Sequence, residues 1–265
     1  MAVSWRRYPR PRAKWKRRPE AQMNLISLCL ASAFWSAKAV ALGSLSGLPY
    51  DPGGTWDNPA TLGFFNRLEG IYATTLARDT QSLALLLPAR EFNSLVYGSA
   101  ASDRWEYGIA LGKTIFPWLS LGGLAAYAHD GREHQVPMCL GAVPQASIRG
   151  LGRLAGGIAL YDLLGEPGTA LSLSWVTGYS IPYLIIAEFR QAWGDDRWKM
   201  SAGADASFTL TSLADISLRA GWREDPVLER KAMTWGLGLG LPFASLDFGA
   251  EGLDYFMWSL DLFWR

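Results

Sequence analysis

The chain is short of the residues on which soluble enzymes rely. It has 2 cysteines and 2 histidines in 265 residues, and only 18% of it is charged. Cys29 lies in an apolar run near the start, and Leu28 before it is too large for a lipoprotein site. Removal of that run as part of a signal peptide would leave Cys139 alone, so no intramolecular disulfide is expected in the mature chain. His129 and His134 flank an Asp130-Gly131 turn signal, where such residues are ordinary on an exposed hairpin. They define neither a zinc site nor a Ser-His-Asp triad. Residues 235–240 alternate glycine with leucine inside a strand pattern, with no helix following, so they are not a dinucleotide loop. The reading is a non-enzyme, with no cofactor and no metal. Long apolar runs are also scarce. The uncharged stretch 167–187 is long enough to span a bilayer as a helix. It is broken by Pro167, Pro182 and Thr177-Gly178-Tyr179-Ser180, and reads as two strands and a turn.

Charge is unevenly placed. Residues 1–41 hold nine Lys/Arg against Glu20 alone, which leaves 16 bases and 23 acids, a net of −7, in the remainder. A basic patch can signal nucleic acid. Here it runs straight into the apolar segment Leu25–Trp35 and then Ala37-Lys38-Ala39-Val40-Ala41. The plainer reading is a basic arm followed by a short helix, but that order reads as a signal peptide, with cleavage after Ala39 or Ala41 and Met23 as an alternative start. Residues 1–41 are therefore read as signal peptide, and nucleic acid is not an expected partner. Residues 42–67 form a turn-rich N-terminal segment, in which Asp57 or Asn58 can cap a short helix with Pro59 at its first position.

What the chain has in quantity is glycine (28), tryptophan (13) and alternation. From about residue 68 to 265 it reads as strand, turn, strand. The pattern is sharpest in the last third. In 198–210, Trp198, Met200, Ala202, Ala204, Ala206, Phe208 and Leu210 oppose Lys199, Ser201, Gly203, Asp205, Ser207 and Thr209. Runs 214–222, 233–241, 244–251 and 256–265 repeat it. A period of two puts alternate side chains on opposite faces of a strand. Earlier strands are weaker, at 69–77, 81–88 and 93–100, and Pro137 and Pro144 put the register of 135–149 in doubt. Trp105, Trp118, Trp193, Trp198, Trp222, Trp235 and Trp264 fall at inferred strand ends, as aromatic girdles require. The fold expected is all-β: a transmembrane antiparallel up-and-down barrel of about fourteen strands, twelve being the fallback, with the N-terminal segment at or in the lumen. In 256–264 the apolar face meets lipid and Ser259 and Asp261 face inward. An arginine is then better tolerated at Ser259 than at Leu260.

The runs Asp-Ile-Ser-Leu-Arg-Ala-Gly-Trp-Arg-Glu-Asp (215–225), Thr-Trp-Gly-Leu-Gly-Leu-Gly-Leu-Pro (234–242) and Ser-Leu-Asp-Phe-Gly-Ala (245–250), with the final aromatic strand, resemble the C-terminal third of PorV/FadL-type outer-membrane barrels. Asp57-Asn58-Pro59-Ala60 is similar to their Asn-Pro-Ala element. The resemblance covers about a third of the chain. Trp222 stands where Tyr is usual, and Arg265 follows the terminal aromatic. It implies a bacterial, Gram-negative outer-membrane location and a transport role, passing or presenting hydrophobic small molecules. The alternative is a plugged barrel that partners exported proteins. An outer-membrane enzyme and a secreted soluble all-β protein rank lower. Expected partners are outer-membrane lipid, and a hydrophobic small molecule or an exported protein. The candidate lumen-lining residues are Lys199, Asp205, Arg219, Asp247, Glu251 and Asp261, with Asp57, Asn58 and Pro59 as the N-terminal element. The charges have a plainer role as well, pairing across strands to hold a filled barrel together.

Overall fold

The computed structural model describes residues 37–42, 55, 58–76, 80–101, 104–129, 133–165, 167–177, 182–226, 230–253 and 255–264. Residues 1–36 of the expected signal peptide, Asp57 and Arg265 lie outside them. Two short helical pieces come first: α1 (Ala37–Ala41) and a 3-10 turn (Pro59–Phe64). The strands follow as β1 (Leu68–Thr75), β2 (Thr80–Leu87), β3 (Asn93–Ala101), β4 (Arg104–Phe116), β5 (Leu119–His129), β6 (His134–Gln135), β7 (Met138–Ile148) and β8 (Gly152–Tyr161). They continue as β9 (Gly168–Val176), β10 (Tyr183–Ala192), β11 (Lys199–Thr211), β12 (Ala214–Asp225), β13 (Arg230–Gly240), β14 (Ala244–Glu251) and β15 (Tyr255–Trp264).

Each strand pairs antiparallel with its neighbours in sequence, and β15 pairs with β1, from Leu68↔Trp264 to Thr75↔Met257. That last pairing closes the sheet. β6 and β7 are pieces of one stave, since both pair with β5 in a single register. The result is a closed barrel of fourteen staves. Closure is what lipid demands, because a backbone group left unpaired there costs several kcal/mol (of order 2–7). No helix among the described residues is long and apolar enough to cross a membrane. Both described ends of the barrel wall, Leu68 and Trp264, lie at one rim, called here the terminal rim; the other is the distal rim.

The alternation sorts side chains as the sequence pattern implies. In β2, Leu83, Leu85 and Leu87 are exposed outward while Ala84 and Leu86 are buried inward. In β12, Leu218 is exposed and Arg219 is buried. An outward apolar belt around a closed barrel is the arrangement of an outer-membrane protein, and it places the chain in that membrane.

Two local expectations change. β12 runs on to Asp225 and β13 starts at Arg230, so Trp222 and Trp235 sit inside their strands rather than at their ends. The prolines do not shift the register. Leu140–Ala142 and Gln145–Ile148 keep one alignment with β8, and only the rungs at Val143–Pro144 opposite Gly156–Gly157 are lost. Pro144 has no N–H to give. Pro137 divides β6 from β7, while its carbonyl still accepts from the Ala126 N–H at 3.0 Å.

A third correction concerns Ser259. It does face inward, but it is 0% exposed because the lumen over it is filled. We expect Leu260→Arg to lower folding stability in lipid vesicles by about 2–4 kcal/mol, read from urea titrations. Ser259→Arg should instead permit insertion while displacing α1. Equal urea midpoints for wild type and Leu260→Arg would invert the facing assignment.

Candidate functional site

The lumen holds two pieces of the N-terminal segment, on different stretches of wall. α1 packs against β12–β15 and the Pro59–Phe64 turn packs against β3, β4, β5 and β7. In both places the wall is cut back to glycine, so that the segment lies directly against the strand backbone.

For the Pro59–Phe64 turn the glycines are Gly112, Gly122, Gly141 and Gly157, on β4, β5, β7 and β8. A Cβ at Gly112 would lie 2.6 Å from Leu62 Cβ, and one at Gly122 would lie 2.5 Å from the Ala60 nitrogen. At Gly141 and Gly157 it would strike the Asn58 side chain. Asn58 is the N-cap: its Oδ1 accepts from the Ala60 N–H at 3.3 Å, and Pro59 takes the first helical position. Its Nδ2 donates to the Ala142 carbonyl at 3.4 Å. So short a helical turn leaves carbonyls unsatisfied, and buried ones need partners. The wall supplies them. Ser120 Oγ donates to the Ala60 carbonyl at 2.6 Å, Thr114 Oγ1 to that of Gly63 at 2.8 Å, and Asn93 Nδ2 to those of Leu62 and Phe65 at 2.7 and 2.5 Å. Leu62 then enters an inward apolar patch built from residues such as Ile71, Leu86, Leu95, Tyr97, Leu124 and Cys139. Asn58 and Pro59 are thus brought to one place in the lumen.

For α1 the glycines are Gly203, Gly236 and Gly249, on β11, β13 and β14. A Cβ at Gly203 would lie 2.5 Å from the Leu42 carbonyl oxygen. The Ala37 N–H donates to Ser259 Oγ at 3.4 Å, and Thr234 Oγ1 donates to the Ala41 carbonyl at 3.0 Å. The alanine run taken as a cleavage site is therefore buried in the barrel.

The six charged candidates all face the lumen, and they pair. Asp205 lies directly opposite Arg219 on neighbouring strands, and Arg219 Nε donates to Asp205 Oδ2 at 3.0 Å. The same guanidinium crosses β13 and donates through Nη1 to Asp247 Oδ1. Gly238 allows that crossing, for a Cβ there would lie 2.6 Å from Arg219 Nη2. Glu251 is held by Arg223 and Arg230, each at 2.7 Å, and Lys199 by Asp225 at 2.8 Å. Asp261 Oδ2 accepts from Ser245 Oγ at 3.1 Å. Removing Arg219 would leave two buried carboxylates, a loss of about 3–5 kcal/mol.

Sequence reasoning missed Asn93, Thr114, Ser120 and Thr234 as wall residues that hold the segment, and read Ser259 as inward without its contact to Ala37. A signal was there for three of them. Thr114, Ser120 and Thr234 each stand two places from a belt glycine, Gly112, Gly122 and Gly236, and so on the same inward face. His129 and His134 are cross-strand partners at the distal rim, their rings tilted by 31° with centroids 4.6 Å apart, and Tyr127 Oη lies 2.9 Å from His134 Nδ1.

No family model and no curated protein matches the chain. Solved outer-membrane barrels do. The outer membrane protein Omp33 of Acinetobacter baumannii aligns over 75% of this chain and 96% of its own, at 11% identity and a TM-score of 0.51. A monoaromatic hydrocarbon channel, CymD, aligns over 84% and 96% at 10% identity and 0.47, and the KdgM porin over 76% and 100% at 7% and 0.43. At such identities the likeness is one of fold.

Gly122→Leu should expel the Pro59–Phe64 turn, and a cysteine placed at Leu62 should then react readily with a bulky maleimide. Gly123→Leu, one residue on and lipid-facing, should leave that cysteine protected. Equal labelling of the two would contradict the seating of the segment.

Proposed function

We propose that the barrel passes apolar small molecules across the outer membrane, with the Pro59–Phe64 turn as its internal stopper. The observation that carries this is the inner wall of β1–β9. A pore for hydrated solutes is polar on its lumenal side. Here Ile71, Leu86, Leu95, Leu124 and their neighbours turn apolar side chains inward, and Leu62 of the stopper packs among them. Polar residues interrupt this wall, among them Ser82, Asn93, Ser120 and Ser174 and two buried carboxylates with partners: Glu69 accepts from Arg67 Nε at 3.0 Å, and Glu106 accepts from Tyr97 Oη. Moving the stopper aside would uncover an apolar strip, which favours an apolar solute by about 25 cal/mol per Å² buried. The PorV/FadL resemblance of residues 215–250 is compatible with this class, since that family includes transporters of hydrophobic compounds as well as partners of exported proteins.

A second reading, a permanently stoppered barrel that partners exported proteins, draws on the hydrogen bonds from Asn93, Thr114 and Ser120 that pin the turn. Whole-cell uptake separates the two. In cells with an intact outer membrane, expression should raise uptake of a labelled aromatic hydrocarbon and leave hexose uptake unchanged. Leu62→Ala should raise hydrocarbon uptake further. Hydrocarbon uptake equal to that of cells lacking the protein, for both forms, would exclude the transport reading.

A further inference from the structure

We infer that the lumenal wall between β11 and β14 is a binding site for a primary alkylammonium group, and that Lys38 is the chain's own occupant of it. The inference stands apart from the apolar-solute reading, since it concerns the opposite, charged wall. Three observations carry it.

The first is charge. Asp205 and Asp247 share the single guanidinium of Arg219, so the trio carries a net −1. All three residues are more than nine-tenths buried. A buried charge without compensation is strongly unfavourable, so the trio calls for one more cation.

The second is a free acceptor. Asp205 Oδ2 is engaged by Arg219, but Oδ1 is buried and has no hydrogen-bond partner among the described residues. Lys38 Nζ lies 4.0 Å from Oδ2, which is ion-pair distance but too long for a hydrogen bond. The cation now present therefore compensates the charge without satisfying the acceptor. A free amine, unconstrained by a helix, can close that gap with one of its three N–H donors.

The third is shape. Beside the carboxylates, Gly203 and Gly236 are covered by Leu42 and Ala41, and Gly238 by the Arg219 guanidinium, so the room for a ligand is the room that the Lys38 side chain itself takes up. Leu184, the cross-strand partner of Asp205, is buried and offers an apolar flank for methylenes. A lysine side chain is a butylammonium on a tether, so Lys38 stands in for the ligand class. A divalent metal fits poorly, because calcium and magnesium take about six or more oxygen ligands and one free carboxylate oxygen is on offer.

The expected signal-peptide cleavage, after Ala39 or Ala41, falls on the far side of Lys38. Processing there would remove the lysine and leave the carboxylates to a free amine.

The test uses protein purified from outer membranes, with its N-terminus read by intact mass. Butylammonium is titrated by calorimetry and by ligand-observed NMR, against butanol and butyrate. In a chain that retains Lys38, Lys38→Ala should bind butylammonium at least about tenfold tighter than wild type. Lys38→Arg, which keeps the cation, should not. A chain that starts beyond Lys38 should bind butylammonium without any substitution. In either case Asp205→Asn should abolish binding, and butanol and butyrate should not compete. Competition by butanol, absence of butylammonium binding once Lys38 is gone, or undiminished binding in a folded Asp205→Asn variant would each overturn the proposal. Should Asp205→Asn fail to fold, butanol competition and the contrast between Lys38→Ala and Lys38→Arg still decide the matter.

Discussion

The interior of this barrel is organised by close approach of the N-terminal segment to the wall at seven glycines, Gly112, Gly122, Gly141, Gly157, Gly203, Gly236 and Gly249. Closing fourteen staves leaves a lumen that must hold water, solute or protein. Cutting the inner face back to glycine at these positions lets two pieces of the chain's own start lie against the wall. Everything else inside follows from that. The 3-10 turn fits because no Cβ blocks Pro59 and Ala60. Its carbonyls then need donors, and Asn93, Thr114 and Ser120 supply them. On the other wall, Gly238 gives Arg219 the room to reach across a strand to Asp247.

The two walls differ in chemistry as well as in what covers them. The inner face of β1–β9 carries most of the barrel's inward apolar side chains, and the paired charges concentrate on β11–β15. The polar wall binds charge in pairs, so it rigidifies the barrel without presenting a strong net field along the axis. Asp205 and Asp247 share one guanidinium, with Lys38 as the further cation, and it is the hydrogen bonding of Asp205 Oδ1 that is left incomplete.

Much of the barrel was legible in the sequence, and the reason is physical. Where one strand face meets lipid and the other meets a polar lumen, the period of two is strong. The run 198–210 accordingly anticipates β11 (Lys199–Thr211) within a residue at each end. In β2 both faces are apolar, with Leu83 and Leu85 outward and Ala84 and Leu86 inward, so the alternation fades. The weak signal of the early strands was itself the mark of the apolar inner wall. The cross-strand pairing of the charges could be anticipated, because opposite charges recur on one face. Arg219 reaching past β13 to Asp247 could not, since it depends on the absence of a side chain at Gly238. Nor could the glycines be sorted in advance. Gly122 and Gly123 are identical in sequence terms, and only the pleat assigns one to the segment and the other to lipid.

The central claim, that residues 58–65 are an ordered part of the barrel interior, is most directly tested by amide hydrogen exchange on the protein in lipid nanodiscs. The Ala60, Thr61 and Phe65 amides are hydrogen-bonded within the lumen. Their exchange should be as slow as that of the strands around them. Complete exchange within seconds, as in a solvated loop, would contradict the account.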